Sequence, residues 1–471
     1  MPGVPGTAHA PVTAASSPPA EGDEDEAATA RGHVLAARRA GVLCDVAALP
    51  AGFPPRRLLD FLARAGLSLW QTLPLNPRDL HGSPYASASL LAGEPRLLEG
   101  HGGEAELLTD PAFAPVARAY ADFTVARAHH GAPWTAWPTA LRDGEPEALE
   151  RLRGRDPGLW RSLHDGQMAF DARWRGVLAE AGARGILLFG DTPLYPAHDS
   201  VDVWCHPDLF ELDGRGHPAS VAGVPPDYFS ETGQRWGNPV YAWSRHLAGD
   251  FAWWRQRIDG QLRWFDILRI DHFRGLEACW VIPDDAPPTA GHWSPVPGDA
   301  LLERLSAAAR GALVAEDLGF ITEEVVALRD RWGLPGMRVL QFAFDGSPDN
   351  PHLPEHCPEH AVLYTGTHDN DTSLGWLRGL DEPTRARVLA RTGGGDDWPW
   401  PLLELALASP AETVVIPIQD FLGLGSEART NVPGTTAPEN WHWKLPADAL
   451  TDALAARIRA RVEAHGRQPE A

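Results

Sequence analysis

The chain has 471 residues, which exceeds the usual single domain but is a length that barrel enzymes with insertions reach as one unit. Its 41 lysines and arginines stand against 63 aspartates and glutamates, giving a net charge of −22 at pH 7. A surface this acidic excludes nucleic acid and anionic membranes as favoured partners.

Other compositional features indicate a protein of a reducing compartment. No apolar run approaches the roughly 18 residues that cross a bilayer, so we expect no membrane contact. The four cysteines show no Cys-x-x-Cys spacing and predict neither a zinc site nor a disulfide framework, which favours the cytoplasm. The first 33 residues are rich in Ala, Pro and acids without a signal-peptide pattern, and we predict a disordered tail over residues 1–38.

Eight short apolar runs with strand-like composition follow this tail. They cover residues 41–49, 67–75, 185–189, 267–270, 312–315, 339–344, 361–364 and 413–418. Stretches with helical periodicity lie between most of them. The clearest cover residues 55–65, 170–183, 299–309 and 322–332. This alternation predicts an α/β protein with a (β/α)8 TIM barrel as its catalytic domain, over residues 39–471.

An open, doubly wound sheet is the alternative that the same pattern allows. Its dinucleotide-binding version is disfavoured because no Gly-x-Gly-x-x-Gly follows the first strand-like run.

Two connections are too long to be simple barrel crossovers. Residues 81–170 carry Ala, Trp and Arg in helical periods and predict an inserted helical subdomain. Residues 190–250 are rich in Pro, Gly, Asp and aromatic residues without clear periodicity, and we predict long substrate-binding loops on the catalytic face.

Three acidic residues appear where strand-like runs end. Asp271, Glu316 and Asp369 follow the fourth, fifth and seventh runs. In a barrel the C-terminal strand ends share one face, so these acids should converge. Two carboxyls about 5–5.5 Å apart perform retaining glycosidic chemistry, and a third can stabilise positive charge on a sugar. Any one of them alone is as well explained by a helix cap or an arginine partner.

The 19 tryptophans agree with a sugar substrate, since several stand beside Pro, Gly and Asn, and indole faces suit the apolar faces of sugar rings. For any single tryptophan, core packing is the commoner role.

Long sequence strings resemble the 4-α-glucanotransferases called amylomaltases or disproportionating enzymes, of glycoside hydrolase family 77. The resemblance runs from about residue 40 to residue 446 and includes the segments that hold the three acids. The other matching strings lie at residues 82–85, 190–193, 199–204, 221–239, 419–425, 428–435 and 440–443.

This resemblance implies roles for the residues around the acids. Asp271 would be the nucleophile, and Arg269 would hold its carboxylate ionised and oriented. Glu316 would be the acid/base, which requires a raised pKa. Asp369, with His368 beside it, would grip sugar hydroxyls and stabilise the oxocarbenium-like state.

The resemblance also implies binding residues. Tyr85 would stack against the sugar at the scissile bond and Asp191 would bond its hydroxyls. Gln234 and Trp236 would shape the donor and acceptor subsites, and Asn431 would lie in a loop over the groove. A further loop, stiffened by Pro225 and Pro226 and carrying Asp227 and Tyr228, would overhang the acceptor side.

The implied reaction is transfer of α-1,4-glucan segments between maltooligosaccharides, with glucose among the acceptors, in glycogen, starch or maltodextrin metabolism. It needs no metal and no organic cofactor. We expect a monomer or weak homo-oligomer. Two other readings stay open at this point: an α-amylase-like hydrolase with a wetter acceptor side, and a glucan-binding protein that has lost catalysis.

Overall fold

The computed structural model describes residues 33–99, 110–226 and 232–468. Within these ranges the chain forms twelve β-strands, numbered in chain order. They are β1 (Arg39–Leu43), β2 (Leu69–Gln71), β3 (Leu187–Thr192), β4 (Ser220–Val224), β5 (Gln234–Pro239), β6 (Ile267–Ile270), β7 (Ala278–Pro283), β8 (His292–Pro295), β9 (Leu313–Ala315), β10 (Gly336–Val339), β11 (Ala361–Tyr364) and β12 (Thr413–Pro417).

Helices connect and surround these strands. Within the same ranges the α-helices are Pro55–Arg64, Ala114–His130, Thr139–Arg142, Pro146–Arg155, Pro157–Gly182, Val201–Cys205, Trp243–Ala248, Ala252–Leu262, Gly298–Arg304, Ala307–Arg310, Glu323–Arg331, Ser373–Gly379, Glu382–Thr392, Trp400–Ala408, Ile418–Phe421 and Asp452–Ala464. No helix in the described part of the chain is both long enough and apolar enough to span a membrane.

Eight parallel strands form one sheet that curls almost into a closed barrel. Their order is β10-β11-β12-β1-β2-β3-β6-β9, and the two end strands meet where the Ala315 amide donates to the Pro335 carbonyl at 2.9 Å. The predicted (β/α)8 barrel is therefore confirmed, and the open, doubly wound alternative is wrong.

Alternation along each strand separates two cores. Outward side chains such as Val42 and Leu268 pack under the helices, while inward ones such as Phe189, Ile267 and Val314 fill the barrel. Because successive side chains point to opposite faces, the residues two positions further along also face the barrel axis. The interior of the barrel therefore has an apolar middle layer and, two residues further along each strand, a polar layer at its C-terminal mouth.

The N-terminal end of the barrel is covered by the segment that precedes β1. Leu35 is only 1% exposed and joins the interior core, and His33 Nε2 lies 2.9 Å from the Leu313 carbonyl. Residues 33–38, which the sequence assigned to the tail, thus contact the barrel. Residues 1–32 lie outside the described residues, and their disorder stays a prediction.

A second, four-stranded antiparallel sheet stands beside the barrel mouth. Its order is β5-β4-β7-β8, and none of these strands was among the eight predicted runs. The expectation of irregular structure throughout residues 190–250 was wrong, because β4, β5 and two short helices lie there. Glycine and proline interrupt the alternation in β4 and β5, and β4 pairs with β7, which lies far along the chain.

The region 81–170 contains helices, as predicted, and the last of them is shared with the barrel. That the region is an inserted subdomain stays a prediction. The helix Pro157–Gly182 runs without interruption from this region into the predicted barrel helix at 170–183. Asp156 caps its first turn by accepting from the Leu159 amide. Residues 100–109 lie outside the described residues.

Three predicted elements have the wrong bounds for identifiable local reasons. The run 41–49 stops at Leu43 because Asp45 accepts from the Ala47 amide and caps a short 3-10 helix. The run 339–344 is displaced, since β10 ends at Val339 and a 3-10 helix follows. The predicted helix 299–309 breaks in two because the Ser306 side chain accepts from the Ala309 amide and starts a new helix.

Replacing Leu35 by Ala should destabilise the barrel, because it leaves a cavity under the interior core. We expect a loss of about 2–4 kcal/mol in the free energy of unfolding, measured by urea denaturation with tryptophan fluorescence. Leu80→Ala, at a side chain that is 99% exposed, is the matched control and should change little. An unchanged midpoint for Leu35→Ala would mean that the segment does not close the barrel.

Candidate active site

A cleft of about 830 Å³ opens over the C-terminal ends of the barrel strands. Nine of the ten side chains singled out from the sequence line it. They are Tyr85, Gln234, Trp236, Arg269, Asp271, Glu316, His368, Asp369 and Asn431. The tenth, Asp191, is fully buried and bonds to two of the lining residues. The structure thus brings the whole predicted set together.

Arg269 lies at the centre of the site. Its guanidinium donates through Nη1 to Asp191 Oδ2 at 2.6 Å and pairs through Nη2 with Asp271 Oδ1 at 2.9 Å. In the pairing of strands β3 and β6, Asp191 lies opposite Arg269, so these two neighbouring strands supply the Asp191–Arg269 ion pair. Alternation then places Asp271 on the same inward face, two residues after Arg269.

Asp271 is the more accessible of the two carboxylates that Arg269 contacts. Its side chain is 31% exposed and lines the cleft directly after β6. Arg269 binds Oδ1, whereas Oδ2 has no hydrogen-bond partner in the described part of the chain. One oxygen is therefore held in place while the other is available to a ligand.

Glu316 occupies a different environment at the end of β9. Its Oε2 accepts from the His272 amide at 2.7 Å and its Oε1 from the Leu318 amide at 3.0 Å. Burial and the nearby Asp271 raise the pKa of Glu316 to about 8, although Arg269 and the two amides oppose that rise. Glu316 is therefore a carboxyl group that stays protonated at neutral pH.

Asp369 is positioned by the loop that follows β11 and by a C-terminal strap, residues 429–441. Asn431 Nδ2 donates to Asp369 Oδ1 at 2.7 Å, and His368 Nε2 lies 3.4 Å from the same oxygen. The strap is tied to this loop, because Arg429 donates to the Asp369 carbonyl and the Asn431 amide donates to the His368 carbonyl. Asn431 thus connects the strap to the third acid.

Tyr85 links the buried ion pair to the third acid. Its hydroxyl donates to Asp191 Oδ2 at 2.7 Å and lies 3.0 Å from His368 Nε2, while its ring stacks on His368 at 5.4 Å. Burial raises the pKa of Tyr85, so the phenol stays neutral. Asp191 Oδ1 is buried and has no partner among the described residues.

The second sheet supplies the opposite wall of the cleft. Gln234 begins β5, and its side-chain oxygen accepts from Trp236 Nε1 at 3.2 Å. The Trp236 ring meets the His272 ring edge-on at 4.8 Å. Burial lowers the pKa of His272 to about 4, so its imidazole is neutral. Residues 227–231, with Asp227 and Tyr228 of the expected overhanging loop, lie outside the described residues.

Sequence reasoning missed several other cleft residues. Trp441 packs against both Tyr85 and His368 at ring distances of 5.9 Å, and it belongs to a matched string to which no role was assigned. His272 and Arg274 stand inside the string around Asp271, so that string already contained them. Trp293 and Phe320 gave no signal in the sequence, because their position depends on the second sheet and on a loop.

No group of three or more His, Cys, Asp or Glu side chains within residues 33–99, 110–226 and 232–468 is arranged to hold a metal ion. The chemistry of the cleft is that of carboxyl groups in contrasting surroundings. One is ion-paired and accessible, one is buried and protonated, and one is bonded to an amide and an imidazole.

Comparison with known proteins agrees with this arrangement. The model of the glycoside hydrolase 77 family, described as 4-alpha-glucanotransferase, matches residues 53–108 and 113–451. A 4-alpha-glucanotransferase of Thermus thermophilus is 41% identical over 88% of this chain and 94% of that protein. One of Synechocystis is 38% identical over 92% of this chain and 99% of that protein.

Solved structures agree in fold. The amylomaltase from Streptococcus agalactiae in complex with acarbose has a TM-score of 0.83 and 29% identity, covering 92% of this chain and 100% of that one. The Corynebacterium glutamicum amylomaltase, with a TM-score of 0.66 and 18% identity, shares the fold over 95% of this chain and 77% of that one. The chain belongs to the 4-alpha-glucanotransferase family, glycoside hydrolase 77.

Proposed function

We propose that this chain transfers α-1,4-glucan segments from a donor glucan to the 4-hydroxyl of an acceptor glucan or glucose, by retaining double displacement through a covalent intermediate on Asp271. The observation that carries the proposal is the contrast between two carboxyls in one cleft. Asp271 is held by Arg269 with one oxygen accessible, while Glu316 is buried with a pKa of about 8. Such a pair supplies a nucleophile and an acid at the same pH.

In the first step the α-1,4-linked donor is cleaved. Asp271 Oδ2 bonds to the anomeric carbon from the β-face as the bond from that carbon to the glycosidic oxygen breaks. The bonding electrons go to this oxygen, which takes the Glu316 proton, and the reducing-end segment leaves. The product of this step is a β-linked glycosyl ester on Asp271, with Glu316 ionised.

In the second step an acceptor takes the place of the departed segment. Its 4-hydroxyl oxygen bonds to the anomeric carbon, the ester bond breaks, and the electrons return to Asp271. Glu316, now a carboxylate, takes the hydroxyl proton and is ready for the next cycle. Two inversions restore the α-configuration, and no metal or organic cofactor takes part in either step.

The remaining residues would hold the sugar at the bond that breaks. Tyr85 offers a ring face, and Asp191 Oδ1 lacks a partner in the described structure and suits a sugar hydroxyl. Asp369 and His368 would bind other hydroxyls and stabilise the oxocarbenium-like transition state, with Asn431 fixing the Asp369 carboxylate.

Gln234 and Trp236 would shape the subsites on the wall that the second sheet provides. Trp236 is 36% exposed, which leaves its indole open to a sugar face.

Incubation with maltotriose tests transfer against hydrolysis. Transfer conserves the number of reducing ends, because each bond broken is replaced by another. We therefore expect a ladder of shorter and longer oligosaccharides with free glucose, while the number of reducing ends stays constant. Chromatography monitors the products, and a colour assay on the same sample counts the reducing ends. Rising reducing ends with only shorter products would identify a hydrolase, and no reaction with maltotriose or longer donors would identify a binding protein.

Replacing Asp271 by Asn should remove the nucleophile with little change in shape. We expect kcat to fall at least about 10⁴-fold, while calorimetry still detects maltooligosaccharide binding. In the unaltered protein, a fluorinated glycosyl donor that slows the second step should leave its label on the peptide that contains Asp271. A label on the Glu316 peptide would reverse the two roles.

The alkaline side of the pH profile should report Glu316. Its proton is needed to release a sugar, so kcat/KM for a maltooligosaccharide donor should be steady up to about pH 7, be halved near pH 8 and approach a tenfold fall per pH unit above that. An α-glycosyl fluoride is the matched control, since fluoride leaves without a proton and its kcat/KM should lack this fall. The same fall with both donors would assign the titration to another group.

A further inference from the structure

A large aromatic side chain stands exposed on the cleft wall beyond the residues already given roles. Phe320 is 58% exposed and lines the cleft, four residues after Glu316. Phenylalanine side chains are usually buried, and this chain buries the rings of Phe61, Phe123 and Phe189 completely. An exposed ring in a ligand cleft is a surface for the ligand.

The backbone that carries Phe320 is firmly held. Arg274 Nη1 donates to the Phe320 carbonyl at 2.9 Å. The same guanidinium carbon lies 3.7 Å from the centre of the Trp293 ring and 5.4 Å from that of Phe320. Trp293 in turn packs edge-on against Trp280, which joins it in the second sheet. The Arg274 guanidinium therefore connects Phe320 to the two tryptophans, and these four side chains form a stack anchored in that sheet, with Phe320 exposed in the cleft.

The position of this stack relative to Glu316 indicates which part of the substrate it would contact. The Leu318 amide donates to Glu316 Oε1, and Leu318, Gly319 and Phe320 line the wall that continues from the acid. A general acid lies beside the oxygen of the leaving segment. The wall beyond it faces the segment that leaves and, in the second step, the acceptor that replaces it.

We propose that Phe320, held by Arg274, which itself packs on Trp293, forms an acceptor subsite that stacks on the second glucose unit of an incoming oligosaccharide. The first unit presents the attacking 4-hydroxyl, and the next unit extends along the wall towards the exposed ring. The apolar face of a glucose ring buries the phenyl face and makes oligosaccharides better acceptors than glucose. This inference rests on the proposed transfer function and deepens it by naming what selects the acceptor.

The test isolates the second step. The donor is an α-maltosyl fluoride whose non-reducing 4-hydroxyl is blocked, so it cannot act as an acceptor, and its fluoride fills no acceptor subsite. Glucose, maltose and maltotriose, each carrying a radioactive isotope in its reducing-end glucose unit and no attached tag, are the acceptors, and initial transfer rates give a KM for each. Glucose reaches only the first acceptor position, whereas the other two reach the proposed ring.

Phe320→Ala should raise the KM for maltose and maltotriose about tenfold, a factor equal to about 1.4 kcal/mol. The KM for glucose should stay within about twofold, and Phe320→Tyr should keep the preference for longer acceptors. Leu247→Ala, which trims a side chain that is 53% exposed and outside the cleft lining, is the matched control and should behave as the unaltered protein.

Other results would overturn the inference and would separate its failure from that of the proposed function. An acceptor profile unchanged in Phe320→Ala would show that the ring contacts no acceptor. An equal loss of rate with glucose and maltotriose would show that the loop only positions Glu316. Absence of transfer to any acceptor by the unaltered protein would instead refute the transfer function itself.

Discussion

The ion pair that Arg269 makes with Asp191 and Asp271 is the interaction on which the cleft depends. Arg269 is 5% exposed and Asp191 is fully buried, and a guanidinium this deep is tolerated only with paired, hydrogen-bonded carboxylates. The register of β3 against β6 places Asp191 opposite Arg269, so the backbone ladder of the barrel fixes the charges. Two acidic side chains therefore share one cation, and burial raises the pKa of the deeper one, Asp191, against the pull of Arg269.

The different characters of Asp271 and Glu316 follow from their contact with Arg269 and from their depth in the protein. Arg269 contacts Asp271 directly, whereas Glu316 accepts only from backbone amides and lies closer to the protein interior. Burial and the Asp271 charge then raise the pKa of Glu316 to about 8. The acids that follow the adjacent strands β6 and β9 therefore differ, because Asp271 pairs with Arg269 while burial keeps Glu316 protonated at neutral pH.

Strand periodicity made the barrel and its polar mouth predictable, since inward positions two apart lead from Ile267 to Arg269 and Asp271. The second sheet was not predictable in this way. Gly223 in β4 must be glycine because a Cβ there would lie 2.2 Å from the Gln234 carbonyl oxygen, yet glycine in a sequence indicates a loop. Trp441 has a left-handed backbone conformation with φ of 67°, which a tryptophan in a sequence does not indicate. Contacts between distant segments placed these residues, and local patterns do not encode such contacts.

The barrel and the elements added to it contribute different parts of the cleft. The segments at the ends of the barrel strands carry the charges. In the proposed mechanism these would serve hydrolysis and transfer equally, because both reactions need a nucleophile, an acid and a stabilising third carboxylate. The second sheet, the loop after Glu316 and the strap around Asn431 supply the walls of the cleft. In the proposed function these walls would decide how well an acceptor is held and water is excluded. Glu316 joins the two parts, since its oxygens are fixed by amides of the segments that lead to Arg274 and Phe320. The geometry of Glu316 and the shape of the proposed acceptor wall are therefore set by the same short stretches of chain, so we expect a change in one to alter the other.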